Sequence, residues 1–477
     1  MSPVSVAYAN LLSPALGQGK GTDPTRLEGE LADRFREAHS QVEARIEKGE
    51  MGFVRLPGDE AMRRGVQEVA DSFGQWFETL VVVGIGGSSL GARAVTDALL
   101  GPHWNEDSDE DREHYPRLHF MENPDPGSVA DLLARVDPRR TLFNIVSKSG
   151  STAETMAQLL VVEDFLRERL DEEQIRGHLL FTTDPETGVL RRMAELRGIP
   201  TLAVPPAVGG RFSVLSPVGL LPAAVTGVDT ASLLMGAAEV ESLCRNPLLR
   251  ENPAGILATL LHAADVEEGR RIHVLMPYHD RLRSLALWFQ QLWGESLGKA
   301  RGVDGAPTET GPTPLPALGA VDQHSLLQLF MEGPPDKVIL FLRVGGRDNP
   351  VAIPSLHGEE PALSYLGGHT LDGLLEAERR ATAEALRRIG RPSAVVEVER
   401  LDARALGGLL MLFQMTTVFA GALYGVDPLD QPGVEAGKTL TYGLLGRDGY
   451  DVPSLEPEDA GGYRFPLAAA SEPSRNP

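Results

Sequence analysis

The chain of 477 residues is long enough for two or three domains and a large apolar core. Its 67 Asp and Glu against 45 Lys and Arg give a formal net charge of -22, a field that disfavours nucleic acid and anionic membranes as partners. Cys244 stands alone, which excludes an intrachain disulfide and a cysteine zinc site and makes a reducing, cytoplasmic location the default expectation.

The opening MSPVSVAYANLLSPALGQGKG has no cationic start and is broken by Pro14, so no signal peptide is expected. Charged helical patterns follow over 23–51 and 59–80, so the chain is expected to open with helices. The first strong strand is Leu80 to Val83, leading into GIGGSSLG. The acidic stretch Asn105 to His114 reads as a solvated loop, Arg117 to Met121 as a strand and Ser128 to Val136 as a helix. Thr141 to Val146 is a short apolar strand, Gly177 to Thr183 and Thr201 to Val204 are further strands, and Gly188 to Gly198 is the helix between them. Strands alternating with helices predict an α/β fold with a parallel sheet covered on both faces.

A second series begins after a helical region over Thr230 to Glu268. Its strands are Ile272 to Pro277, Lys337 to Val344 and Ser393 to Val398, with helices over Asp280 to Leu297 and Leu371 to Ile389. The run Ala405 to Val426 carries no charge and is long enough for a membrane, but Gln414, Thr416, Thr417 and its glycines favour a helix buried among others. Beyond Gly425 the chain leaves the sheet as an arm, and SEPSRNP at the end has a disorder-prone composition.

Six motifs carry chemistry. After the strand ending at Val146, the hydroxyls of Ser147, Ser149, Ser151 and Thr152 crowd around Lys148 and Gly150 where a helix begins, a place suited to an oxyanion such as phosphate. Ser151 and Glu154 have the spacing of a capping box there. GIGGSSLG, Gly84 to Gly91, follows a strand as a phosphate-cradling loop would, yet Ser89 occupies the sixth position of the dinucleotide fingerprint, against a nicotinamide site. In GGRFSVLSP, Arg211 can aim a fork of donors at an oxyanion. In WFQQLWGESLGK, Glu295 lies in an apolar stretch beside Trp293; such surroundings disfavour a charged carboxyl, as general-base work near neutral pH requires. His324 opens a helix after the polar turn of GAVDQHSLL, and DQPGVEAGKTL presents Lys438 in a Walker-like run that is one residue short and has no strand before it.

Together and in this order, GIGGSSLG, SKSGSTAET, GGRFSVLSP, QQLWGESLGK, DQHSLLQLFMEGP and QPGVEAGK resemble the bacterial-type glucose-6-phosphate isomerase family. The resemblance implies two doubly wound parallel-sheet αβα domains of the sugar-isomerase type, at 66–228 and 229–426. An N-terminal helical segment, 1–65, precedes them, and a C-terminal arm, 427–477, carries Lys438 and a disordered tail. It implies reversible aldose–ketose isomerisation of glucose 6-phosphate and fructose 6-phosphate through a cis-enediol, with no cofactor and no metal. Glu295 would be the base, His324 would help open the ring from the neighbouring subunit of a homodimer, Lys438 would sit at the ring oxygen, and Arg211 would stabilise the enediolate. Ser88, Ser147, Lys148, Ser149, Thr152, Gly210, Gln291 and Gln431 would bind the sugar phosphate. The rivals are a sugar-phosphate-binding regulator without catalysis and an isomerase that also accepts mannose 6-phosphate.

Overall fold

Apolar runs of five or six residues, punctuated by glycine, proline and hydroxyl-rich turns, set the strands of this chain. The computed structural model describes residues 2–74, 76–346 and 350–455; the tail SEPSRNP lies outside the described residues. Residues Met1–Leu429 form one compact unit and Asp430–Pro477 another. In chain order the strands are β1 (Ser5–Ala7), β2 (Thr79–Val83), β3 (Arg117–Met121), β4 (Thr141–Val146), β5 (Leu179–Thr183), β6 (Thr201–Ala203), β7 (Ile272–Pro277), β8 (Lys299–Arg301), β9 (Pro307–Thr310), β10 (Thr313–Pro316), β11 (Lys337–Val344) and β12 (Ser393–Val398).

The first sheet has the order β3-β2-β4-β5-β6 with every pair parallel. Strands β2, β4 and β5 are buried along their whole length, as continuous apolar strands must be when helices cover both faces. The second sheet has the order β1-β12-β11-β7-β10, parallel except where β1 joins the edge antiparallel to β12. Strands β8 and β9 pair separately as an antiparallel hairpin.

One expectation is corrected here. The chain opens with the edge strand β1, not with helices; the helices Glu30–Glu47 and Glu60–Gly74 come after it. Strand β10 and the hairpin escape a pattern reading because they are short and proline-bearing, features that ordinarily demote a strand. The acidic insert is an exposed loop, as expected, closed around its one buried side chain, Arg112, which bonds the Asp107 carbonyl, Tyr115 O at 3.2 Å and Asp109 at 3.2 Å.

The uncharged run forms the helix Ala403–Tyr424, long and apolar enough for a membrane but 89% buried over its most apolar window. It packs against the helices Thr230–Cys244, Pro253–Glu268, Glu30–Glu47 and Arg283–Leu297. At Gly407 a Cβ would fall 1.8 Å from Leu233 O, so glycine is what lets two helices cross there. Its hydroxyls are satisfied internally, with Thr416 and Thr417 each donating to the carbonyl four residues back at 2.7 Å.

Candidate active site

Strand β2 delivers the chain into the glycine loop, which makes a turn over Gly86–Ser88 and enters the helix Leu90–Leu100. A Cβ on Gly87 would lie 2.4 Å from the carbonyl carbon of Gly210 and 2.8 Å from the Arg211 nitrogen. Two backbones therefore meet where any side chain would separate them. Ser213 ties them together, its Oγ lying 2.6 Å from Gly210 O and 3.1 Å from Gly87 O. Close approach of the loop that bears Arg211 is thus a structural reason for these glycines.

Strand β4, beside β2, ends in the hydroxyl turn. Ser147 Oγ lies 3.1 Å from Thr152 Oγ1 and 3.5 Å from Ser149 Oγ, and Ser149 and Thr152 are 3.5 Å apart. The expected capping box is corrected: the helix here is Ala153–Arg167 with Thr152 as its N-cap and no side-chain cap bond. Ser151 Oγ instead meets Ser149 Oγ at 3.4 Å. The hydroxyls face one another rather than the helix end, so the first-turn amides are uncapped by side chains and oriented for an oxyanion. Lys148 donates from Nζ to Pro206 O at 2.6 Å, and burial lowers its pKa, with Asp184 opposing the shift. Against the glycine loop, a Cβ on Gly84 would meet Val146 O at 3.0 Å and Ser88 Cβ at 2.9 Å, so Ser88 and the hydroxyl turn share one edge of the sheet.

The helix Arg283–Leu297 carries the third part. Its inner face buries Leu292, Trp293, Ser296 and Leu297, and Trp293 Nε1 donates to His273 Nδ1 at 3.2 Å. Glu295 projects from another face with its side chain 28% exposed, so its surroundings are less apolar than the sequence suggests. Its Oε2 lies 3.7 Å from Arg211 Nη1 and accepts from Gln291 Nε2 at 3.3 Å. Arg211 is buried; its Nε donates to Ser296 Oγ at 2.7 Å and its Nη2 to Pro428 O at 2.6 Å. A Cβ on Gly86 would stand 3.0 Å from the Gln291 amide nitrogen, which joins this carboxylate–guanidinium pair to the glycine loop.

Glu295, Arg211, Gln291, Gly210, Ser88 and the Ser147–Thr152 turn therefore form one contiguous set of contacts. His324 does not join it by a hydrogen bond or ion pair among the described residues; it closes the turn Val321–His324 rather than opening a helix, and its ring is exposed. Gln431 and Lys438 belong to the second unit, where Lys438 Nζ lies 2.8 Å from Glu435 on the helix Glu435–Leu444. Motif reading passed over Ser213, Ser296 and Gln414. The first two sit inside the quoted motifs, and Gln414, fully buried in the apolar helix, donates to Phe212 O at 3.0 Å. A lone amide in an uncharged run was the available signal. Among the described residues, no group of three or more His, Cys, Asp and Glu side chains is arranged to hold a metal ion.

Fold and site together define a class: the α/β proteins that receive a small phosphorylated molecule at the carboxyl edge of a parallel sheet. Residues 60–355 and 375–448 match the family described as phosphoglucose isomerase. The chain belongs to that family. It is 44% identical over 454 residues to a glucose-6-phosphate isomerase of Carboxydothermus hydrogenoformans, covering 95% of this chain and 97% of the relative. It is 45% identical over 452 residues to one from Rubrobacter xylanophilus, covering 94% and 100%. The crystal structure of a hypothetical protein from Thermus thermophilus superposes with a TM-score of 0.82 at 40% identity, over 93% of this chain and 100% of that one. A Chlamydia trachomatis glucose-6-phosphate isomerase at 23% identity, with a TM-score of 0.79 over 94% of this chain and 89% of that one, shares the fold.

Proposed function

We propose that this chain interconverts glucose 6-phosphate and fructose 6-phosphate as an aldose–ketose isomerase of glycolysis and gluconeogenesis. The observation that carries the reading is the Glu295–Arg211 pair, 3.7 Å apart and contiguous through Gln291 and the glycine loop with the hydroxyl turn. In this reading Ser88, Ser147, Ser149, Thr152 and the Gly210 backbone hold the phosphate, with Lys148 as the nearby cation. Glu295 removes the C2 proton of the opened aldose and returns it to C1, while O1 gains a proton and O2 loses one. Arg211 bears the positive field at the developing enediolate, where fixed donors act most strongly. Gln291 orients the carboxylate, and Gln431 and Lys438 serve the sugar from the last segment of the chain, Lys438 at the ring oxygen.

His324 supplies the ring-opening proton in a homodimer, reaching the site of a second copy; its exposed ring supports that role. The two sheets correspond to two lobes, 66–228 and 229–426, with a helical segment 1–65 before them and an arm 427–477 after, in a cytoplasmic enzyme without metal or cofactor. Fructose 6-phosphate supplied to the purified chain should give glucose 6-phosphate, read by a coupled dehydrogenase, and turnover should survive a chelator. A folded protein that binds the sugar phosphate without turning it over would overturn the reading in favour of a regulator. For the dimer, mixing Glu295→Gln with His324→Ala should restore part of the activity after subunit exchange; none restored would reject the shared site.

A further inference from the structure

The long helix that ends at Tyr424 grips the arginine loop twice. Its body does so through Gln414 Nε2 on Phe212 O at 3.0 Å, and its exit does so through Pro428 O, which accepts from Arg211 Nη2 at 2.6 Å. The body is locked in the core, but the exit is a short irregular segment beyond the left-handed cap at Gly425. Val426 is buried in the core and Gly425 O accepts from Val303 N at 2.8 Å, and beyond them a side chain fixes the turn at Pro428. Asp427 Oδ1 accepts from Leu429 N at 2.9 Å, folding the chain over Pro428, and from Arg45 Nη1 at 3.0 Å. Arg45 stands in the last turn of the helix Glu30–Glu47 and also bonds Glu50 at 2.8 Å through Nε. Burial lowers its pKa, but the bonds to Asp427 and Glu50 outweigh burial and raise it overall.

We propose that Arg45 and Asp427 are positioning residues for Arg211: their ion pair fixes the segment whose carbonyl holds the guanidinium. The proposal rests on the reading of Arg211 as the group that stabilises the enediolate. A guanidinium held by Ser296 Oγ, Pro428 O and the Glu295 carboxylate has its plane set before substrate arrives, and such preorganisation is what makes a fixed charge effective in a transition state. Releasing the carbonyl lets the donor fork drift, and a misplacement of about 1 Å can cost on the order of 10²-fold in rate. Because the interaction matures only in the transition state, the loss falls on kcat rather than on KM. The N-terminal helix thus enters the function of a site from which its own side chains are absent.

Asp427→Asn preserves the shape of the side chain and its bond to Leu429 N, and Arg45→Met preserves the length of its stem, so both test the pair without emptying the core. Each should lower kcat by about tenfold, leaving KM and the affinity for a phosphorylated sugar acid within about twofold of wild type. Arg45→Lys should recover most of the loss, and Glu50→Gln, which removes the charge of the other partner of Arg45, should leave kcat unchanged. Unaltered kcat in folded Arg45→Met and Asp427→Asn would overturn the proposal. So would an equal loss in Glu50→Gln, or parallel losses of kcat, affinity and melting temperature, which mark general loosening. A wild-type chain without isomerase activity would instead remove the reading on which the proposal stands.

Discussion

The carboxyl edges of the two sheets have the same topology and different chemistry. In the first sheet the chain moves outward from β2 to β3 and, in the other direction, from β4 to β5, so a crevice opens between β2 and β4. In the second it moves from β7 to β10 and from β11 to β12, so the crevice lies between β7 and β11. Such switch points are where open α/β sheets receive ligands. The first is built from glycines that bring two loops into backbone contact, and from hydroxyls that bond one another. The second is occupied by its own side chains. Arg343 pairs with Glu376 at 3.2 Å and with Glu397, and Tyr278 Oη accepts from Gln323 at 2.6 Å. Its cavity is about 170 Å³, lined by Tyr278, Arg343, Asp372 and Glu376 among others. The fold provides two equivalent places, and their side chains make them chemically different.

The comparison breaks most sharply at Glu295. Glu295→Gln removes the base while keeping the bond geometry to Gln291, so kcat should fall by about 10²–10⁴ while a phosphorylated sugar acid still binds, as calorimetry would register. Next comes the loop contact. Gly87→Ala pushes a methyl group to within 2.4 Å of Gly210, and kcat/KM should fall by about 10²-fold as Arg211 moves with its loop. Ser147→Ala removes one hydroxyl from the cradle and should raise KM by about 10- to 100-fold, the worth of a hydrogen bond to a charged group, with little change in kcat. At the second edge Arg343→Met should leave turnover within about twofold, since none of the partners it loses holds Arg211 or Glu295.

The smallest effect concerns acid. His273, on β7, is fully buried, and burial holds its pKa down at about 3 from an ordinary 6.5. The unfolded chain takes up the proton below pH 6.5 and the folded one only near 3, so stability should fall as pH falls through that window. His262, lowered to about 4 by burial, acts in the same direction. A urea midpoint that drops from pH 7.5 to pH 5 in the wild type, and drops less in His273→Gln, would bear this out; an unchanged wild-type midpoint would contradict it.

How far each region was legible in the sequence follows from the range of the interactions that make it. Strands β3, β4, β7, β11 and β12 begin and end where apolar runs and turn residues place them, because local composition suffices for a strand covered on both faces. Strands β1 and β10 depend on partners hundreds or tens of residues away, Ser393–Val398 and Ile272–Pro277, and their own three or four residues are too few to announce a strand. The site divides similarly. The hydroxyls of Ser147, Ser149 and Thr152 cluster within one turn and announce themselves. The grip of Ser296 and Pro428 on Arg211 spans 85 and 217 residues of sequence, and no local pattern encodes it. The capping box misled because Ser151 and Glu154 have the right spacing while the hydroxyl that matters, Thr152, turns toward Ser147.

The central claim is that a proton, taken by Glu295, moves between C2 and C1 beside the Arg211 guanidinium. Glucose 6-phosphate deuterated at C2 tests it directly, with the product's label located by nuclear magnetic resonance. The account predicts that part of the label appears at C1 of fructose 6-phosphate and the rest in water, and that both signals vanish in folded Glu295→Gln. Label carried wholly to C1 with none in water, at a rate unchanged by Glu295→Gln, would contradict it.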